Sequence, residues 1–434
     1  VKLLLLLLGN AAILCLLAWW LRRQLAIPTL RRWLLPTLAL RLLAGAVSVW
    51  RPTEDARFFH LWAGRLTDQL WAAPGQWLQT LGQDTFQHEG NRLIYHGYSN
   101  TFFFIKVLSA LNVLTAGSML VTALYLSLAS FLGCWLLTKV LSRQFAGTRG
   151  AAIIGLLLWP SAVYWSSGLT KESLLLAGCA TLLAAALVLL YGQPRQRLGW
   201  VALALLGAWL SFKMRFFFGG ALLALLLCLA VVRVGQLLLV PLRRRRWQLL
   251  LFAATFVLGL RLGSEVVPVL RFNKFASQLT RTYAALRVKS LGRPHVALPE
   301  LAPTAESILR HTPKAVASAL YRPFAWEGDS VFYGFAAWEN LGLLILSALA
   351  LWDWARRRSV PMPFAVTFTL VVYTLLMAAL LGLSTPNLGT LSRYRAPWLP
   401  LLVYVLVSQP TASGWLRRLR VFGRVGRAAL RPTE

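Results

Sequence analysis

Apolar residues along this chain come in runs of roughly 20, the length that carries an α-helix across the hydrocarbon of a bilayer. Marking the runs between polar breaks predicts about eleven spans, near residues 2–20, 33–50, 118–141, 150–166, 172–191, 199–213, 216–241, 247–267, 336–353, 361–384 and 394–408. The expected fold class is therefore an all-α polytopic membrane protein with about 11 transmembrane helices. Two stretches are too long and too mixed to be turns. The first, about 51–117, holds Trp62, Trp71, Trp77, Phe86, Tyr95, Tyr98 and the segment Phe102-Phe103-Phe104-Ile105. It predicts helices lying in the interface, with aromatic rings at headgroup depth. The second, about 268–335, sets Arg271, Lys274, Arg281, Arg287, Lys289, Arg293, Arg310 and Lys314 among apolar residues at helical intervals.

Charge then orients the spans. An odd count puts the termini on opposite sides, and alternation gathers Arg22, Arg23, Arg31, Arg32, Arg143, Arg149, Arg195, Arg197, Arg243 to Arg246, Arg356 to Arg358 and the Arg-rich tail after Trp415 on one face. The positive-inside bias makes that face cytoplasmic. Carboxylates count little in that bias and so check it. Of 14, only Asp353 and Glu434 fall on the basic face, and the two long loops with their flanks hold nearly all the others.

Composition removes one function class. A net charge of +31 would suggest nucleic acid in a soluble protein. Here 58% of residues are hydrophobic and the cations sit in short clusters between spans, so the charge reports topology and no nucleic-acid partner is expected. The four cysteines, Cys15, Cys134, Cys179 and Cys228, lie inside apolar runs without CxxC spacing, which indicates neither disulfides nor zinc. The first run resembles a signal peptide in its apolar core. It is followed by Arg22 and Arg23 rather than a small-residue cleavage site, and is taken as a membrane helix.

Candidate chemistry concentrates at the non-cytoplasmic rim. Glu54 and Asp55 follow the second span directly, ahead of Phe58, Phe59 and His60. A carboxylate just outside the hydrocarbon and backed by aromatics suits a general base, and the same pair also suits the N-terminus of an interfacial helix starting at Ala56. The short turn from Trp159-Pro160-Ser161 through Trp165-Ser166-Ser167-Gly168 delivers Lys171 and Glu172 into the next helix. A cation there suits a lipid phosphate, or snorkels as an interfacial lysine. Lys213-Met214-Arg215 and Ser392-Arg393-Tyr394-Arg395 are basic against the topological bias, as phosphate binding or headgroup anchoring would require. A divalent cation is a candidate for Asp55 with His60, or His88 with Glu89, against the simpler reading of solvated loop histidines. Arg41 and Arg261 lie within spans, where a charge is expected to face a bundle interior or a water-filled cavity.

These features together resemble the GT-C superfamily of polytopic glycosyltransferases, specifically its uncharacterised bacterial members. The resemblance rests on the acidic residue after an early span, the aromatic first loop, the large late loop, the 160–172 segment, Tyr321-Arg322-Pro323-Phe324-Ala325-Trp326-Glu327, and Arg393-Tyr394-Arg395-Ala396-Pro397 with Pro400. It covers roughly residues 33–410, leaving 1–32 as an added N-terminal helix with its basic loop and 411–434 as a basic cytoplasmic tail. It implies a bacterial inner-membrane enzyme that moves a sugar from a polyprenyl-phosphate donor to an acceptor on the non-cytoplasmic face. Asp55, with Glu54 in competition, would be the base, and Lys171, Glu172, Lys213, Arg215, Arg322, Arg393 and Arg395 would surround the donor phosphate. Two other functions fit the same sequence: a flippase or transporter of a lipid-linked substrate, and a non-catalytic subunit that keeps the fold and meets protein partners.

Overall fold

The computed structural model describes residues 2–193, 196–328 and 330–418. Arg195 and the tail 419–434, including Glu434, lie outside the described residues. In chain order the helices are α1 (Lys2–Leu25), α2 (Arg31–Trp50), α3 (Glu54–Ala72) and α4 (Pro74–Gly82). A hairpin of β1 (Thr85–His88) and β2 (Asn91–Ile94) precedes α5 (Asn100–Thr115), α6 (Met119–Gln144), α7 (Arg149–Ile153) and α8 (Pro160–Trp165). Then come α9 (Lys171–Tyr191), α10 (Arg197–Met214), α11 (Phe216–Leu238), α12 (Arg245–Val266), α13 (Phe272–Val288) and α14 (Ala305–Tyr321). The last are α15 (Val331–Ala355), α16 (Phe364–Ser384), α17 (Leu388–Arg395), α18 (Leu399–Val407) and α19 (Pro410–Arg418).

Among the described residues eight helices are long and apolar enough to cross a membrane, namely α1, α2, α6, α9, α11, α12, α15 and α16, and the bent pair α18 and α19 makes a ninth if read as one span. The chain is a multi-pass α-helical membrane protein. The expected run 150–166 is not one straight helix. It passes from α7 through a π turn at Ile154–Leu158 and breaks at Trp159, whose backbone is extended (ψ 118°). The cause is Pro160, which disfavours the helical region for its predecessor and then opens α8 as a first helical residue. The expected run 199–213 is the 18-residue α10, bounded by Arg197 and Lys213. The first long loop adds to its helices a hairpin not expected in an all-α chain. Its two-residue connection, Glu89 and Gly90, has φ of +47° and +73°, the backbone of a type I′ turn.

The chain divides into two compact units. The first comprises Val1–Leu136, Val163–Thr181 and Leu205–Phe217, the second Leu137–Ala162, Leu182–Ala204 and Phe218–Glu434. In the first unit α3 buries Ala56, Phe59, Ala63 and Leu66, a stripe at helical spacing, and packs on α5 with Phe59 edge-on to Phe104 at 5.2 Å. The backbones of α6 and α9 touch: a Cβ on Gly133 would stand 2.8 Å from Ala177 Cα, the close approach that small residues permit between membrane helices.

In the second unit the late loop folds as α13 and α14, and α14 lies along α16 so closely that a Cβ on Gly382 would fall 2.2 Å from the Ala315 carbonyl oxygen. Every residue of α18 is buried, and the π turn meets it where a Cβ on Gly155 would lie 2.7 Å from the Pro400 carbonyl oxygen. The two intramembrane arginines part company. Arg41 is 1% exposed, as expected for a charge facing a bundle interior, whereas Arg261 is exposed on α12 and faces outward from its unit. The far half of α12 is almost wholly uncovered, which is why the expected interior does not exist for Arg261.

Candidate functional site

In the first unit the path from α2 to α3 faces the turn between α8 and α9. Thr53 caps α3, its hydroxyl accepting from the Ala56 amide at 3.2 Å. That cap places Glu54 and Asp55 in the first turn, where the helix dipole favours carboxylates. Opposite, Gly168 takes φ +80°, and a side chain there would collide with Ser48, its Cβ 1.9 Å from Ser48 Oγ. The Gly168 amide donates to Ser127 Oγ of α6 at 2.8 Å. Arg41 reinforces this lock, its Nη1 donating to Ser130 Oγ at 2.9 Å and to Ser166 Oγ at 2.5 Å. A buried guanidinium therefore ties α2, α6 and the turn together through two neutral hydroxyls that accept from its Nη1.

Between these pieces lies a cleft lined by Ser48, Arg51, Thr53, Tyr164, Trp165 and Thr170 among others. Glu54 and Asp55, both exposed, stand in sequence between the lining residues Thr53 and Ala56. Arg51 is exposed and belongs to no ion pair among the described residues. The cleft thus combines hydroxyls, two aromatic rings and a cation, with Glu54 and Asp55 next to its lining residues in the chain.

The cations of this unit that the sequence singled out, Lys171, Lys213 and Arg215, are engaged by the protein. Lys171 Nζ donates to Asn100 Oδ1 (3.0 Å) and Thr101 Oγ1 (2.7 Å) and lies 5.1 Å from the Phe59 ring centre. It thereby joins the start of α9 to both α5 and α3, one turn along from the cleft-lining Ala56. Arg215 Nη2 pairs with Glu172 Oε1 at 2.8 Å, and Glu172 is 2% exposed. Lys213 stacks over Tyr98 with its Nζ 4.5 Å from the ring centre, and its carbonyl accepts the Tyr98 hydroxyl. Nearby, burial holds the Lys106 ammonium below the ordinary lysine range, against the pull of Asp84 and with the like charge of Lys213 adding to the depression.

In the second unit Arg322 Nε donates to Glu327 Oε1 at 2.6 Å, and Glu327 also accepts from the Phe324 amide at 2.8 Å. Arg395 is 1% exposed and donates through Nη1 to the Leu320 carbonyl (3.0 Å) and Asn340 Oδ1 (3.0 Å). It caps the C-terminal end of α14, where the dipole favours a cation. Arg393 is half-buried, its guanidinium 5.2 Å from the neighbouring Tyr394 ring centre.

Sequence reasoning passed over three polar contributors. Glu339, half-buried near the start of α15, accepts both the amide of Ser161 (2.8 Å) and its hydroxyl. Asn340 links Arg395 to the Pro323 carbonyl (2.9 Å). Arg51 was hidden by its position at a loop start, whereas the Glu339-Asn340 pair within an apolar run is itself a readable signal. Among the described residues no three His, Cys, Asp or Glu side chains gather as metal ligands, and His88 Nε2 lies 3.8 Å from Glu89 Oε1.

Comparisons with protein-family models, curated proteins and solved structures return no match to this chain.

Proposed function

We propose that this chain is a GT-C-type membrane glycosyltransferase that moves a sugar from a polyprenyl-phosphate donor to an acceptor on the non-cytoplasmic face. The observation that carries the reading is the cleft of the first unit, lined by Arg51, Tyr164, Trp165 and Thr170, with Glu54 and Asp55 falling in the chain between the lining residues Thr53 and Ala56. In this reading the chain crosses the membrane eleven times, with α10, the broken α7–α8 segment and α18 supplying the passes beyond the eight long apolar helices. The basic clusters face the cytoplasm, and α3 to α5 lie on the opposite side.

An acceptor hydroxyl or amine enters beside Asp55 and attacks the anomeric carbon of the donor. The new bond forms as the bond from that carbon to the phosphate oxygen breaks. The phosphate leaves with the electron pair, and Asp55 takes the acceptor's proton. Phosphate is already a good leaving group, so positioning, one base and a cation to hold the departing charge are enough. Arg51 supplies that cation at the cleft. Lys171, through Asn100, Thr101 and Phe59, and the Arg215–Glu172 pair hold the start of α9 in place behind the turn that lines the cleft.

The test is transfer by the purified protein in proteoliposomes loaded with radiolabelled polyprenyl-phosphate hexoses and a membrane-envelope extract as acceptor. Sugar released from lipid by the native chain and not by Asp55→Asn supports the reading. Equal release by both removes Asp55 as base. A second reading, transport of a lipid-linked substrate, draws on Arg41, a buried charge within a span. It predicts that label crosses the bilayer without leaving its lipid.

A further inference from the structure

The second unit carries a feature unrelated to sugar transfer. Every residue of α18 is buried, and α19 leaves it at an angle of 78°. With α18 read as a membrane pass, as in the proposed function, a helix leaving it at that angle runs across the bilayer surface. Its course is fixed by Asp353, a fully buried carboxylate in the last turn of α15. Asp353 accepts the Thr411 amide at 2.7 Å and the Thr411 hydroxyl at 2.6 Å. Arg358 closes the latch, its Nη1 3.2 Å from Asp353 Oδ1 and 3.0 Å from Thr411 Oγ1. An acidic side chain thus satisfies an amide at the start of α19 that the helix itself leaves unpaired.

The latch gathers cations. Ala412 is buried, while Trp415, Arg417 and Arg418 are exposed on α19, and Arg356, Arg357 and Arg358 are exposed where α15 ends. Neither 354–363 nor 409–433 contains a carboxylate, and the sequence continues with Arg420, Arg424, Arg427 and Arg431, which lie outside the described residues. Asp353, the acid at this end among the described residues, is committed to the latch.

We infer that the Asp353–Thr411 latch holds α19 and the end of α15 as a docking platform for acidic phospholipid headgroups. Each guanidinium offers a planar fork to a phosphate oxygen pair, and Trp415 belongs at headgroup depth. A membrane fits this surface better than a soluble anion because the cations flank an embedded helix and an exposed indole. Each arginine at an anionic leaflet strengthens attachment on the order of fivefold.

The experiment uses the full chain in nanodiscs, with a polarity-sensitive fluorophore on Trp415→Cys in a Cys15→Ser background, the other three cysteines being buried. The discs contain phosphatidylcholine alone or mixed with phosphatidylglycerol. The platform predicts a blue shift on adding phosphatidylglycerol, reversed by high salt. It also predicts that the phosphatidylglycerol needed for half the shift rises at least about tenfold in Arg417→Gln/Arg418→Gln. Thr411→Val, which keeps every arginine but removes the hydroxyl that Asp353 and Arg358 share, diminishes the shift, and Asp353→Ala, which removes the acceptor of both the amide and the hydroxyl, abolishes it where it folds. Identical emission in the two lipids overturns the inference. So does a shift that survives Arg417→Gln/Arg418→Gln, since the charge would then play no part. A shift undiminished in Thr411→Val, or one retained in a folded Asp353→Ala, removes the latch from the mechanism.

Discussion

Arg215 and Glu172, two residues that sequence reasoning assigned together to a lipid phosphate, bind each other: Arg215 Nη2 lies 2.8 Å from Glu172 Oε1, and the carboxylate is almost wholly buried. Removing one member takes an ion partner from the other. Arg215→Ala removes a cation from a buried carboxylate and should cost about 3 kcal/mol, reduced toward about 2 by the partial exposure of the guanidinium. The double variant Arg215→Met/Glu172→Leu should recover most of that loss. Thermal unfolding of the detergent-solubilised protein measures both, and a double variant no better than the single one would show that the pair's mutual attraction is not what matters.

Arg51 lines the cleft and Asp55 lies in the adjoining first turn of α3; both are exposed, so their replacement should shift unfolding by no more than about 1 kcal/mol while altering transfer. Asp55→Asn should lower kcat by about a hundredfold or more, the usual contribution of a positioned base. Arg51→Gln should weaken use of the phosphate-linked donor by roughly tenfold, the loss of one charge-assisted contact. Steady-state kinetics in proteoliposomes separate the two, with Arg51 expected to move KM and Asp55 expected to move kcat.

Gly168 is required twice over, by its φ of +80° and by Ser48 Oγ, which stands where a Cβ would go. Gly168→Ala should therefore destabilise the first unit by about 1–3 kcal/mol. Adding Ser48→Ala relieves the collision but not the backbone strain, so a partial recovery is expected in the unfolding midpoint. Full recovery would show that contact with Ser48, and not the turn, sets the requirement.

Gly382 lets α16 run against the backbone of α14, with the Ala315 carbonyl in the place of a side chain. Gly382→Ala must push the two helices apart and should cost about 2 kcal/mol. Hydrogen exchange of α14 amides is the sensitive measure, because a widened gap raises exchange there before it affects the first unit.

The membrane-embedded class was legible because runs of about 20 apolar residues have no other economical reading. The helices α13 and α14 were legible for the related reason that basic and apolar residues alternate there at helical intervals. The break at Trp159 was visible in Pro160, but the π turn before it was not, since no residue type from Ile154 to Leu158 marks a wider helical turn. The hairpin was readable in Glu89-Gly90 and masked by the expectation of interfacial helices. At the site, sequence marked the 160–172 turn, which gives Tyr164, Trp165, Ser167, Leu169 and Thr170 to the cleft, and Asp55, which neighbours the lining residue Ala56 in the chain without lining the cleft itself. It could not distinguish a cation held by neighbours, as Lys171 and Arg395 are, from one left open like Arg51. Partnering across 70 residues, as between Lys171 and Asn100, is a property of packing and leaves no local trace.

The π turn at Ile154–Leu158 has a consequence for how this segment tolerates change. A π turn takes one residue more than the α-helical pattern requires, and each residue advances a helix by about 1.5 Å and rotates it by about 100°. Gly155, within the turn, meets Pro400, and Ser161, beyond it, meets Glu339. The segment is thus keyed at two points to two different helices, with a fixed residue count between them. Side chains there can be exchanged one for another, but a single deletion between 155 and 161 would draw Ser161 away from Glu339 even if every remaining residue were kept. Length, more than composition, is what this stretch must preserve.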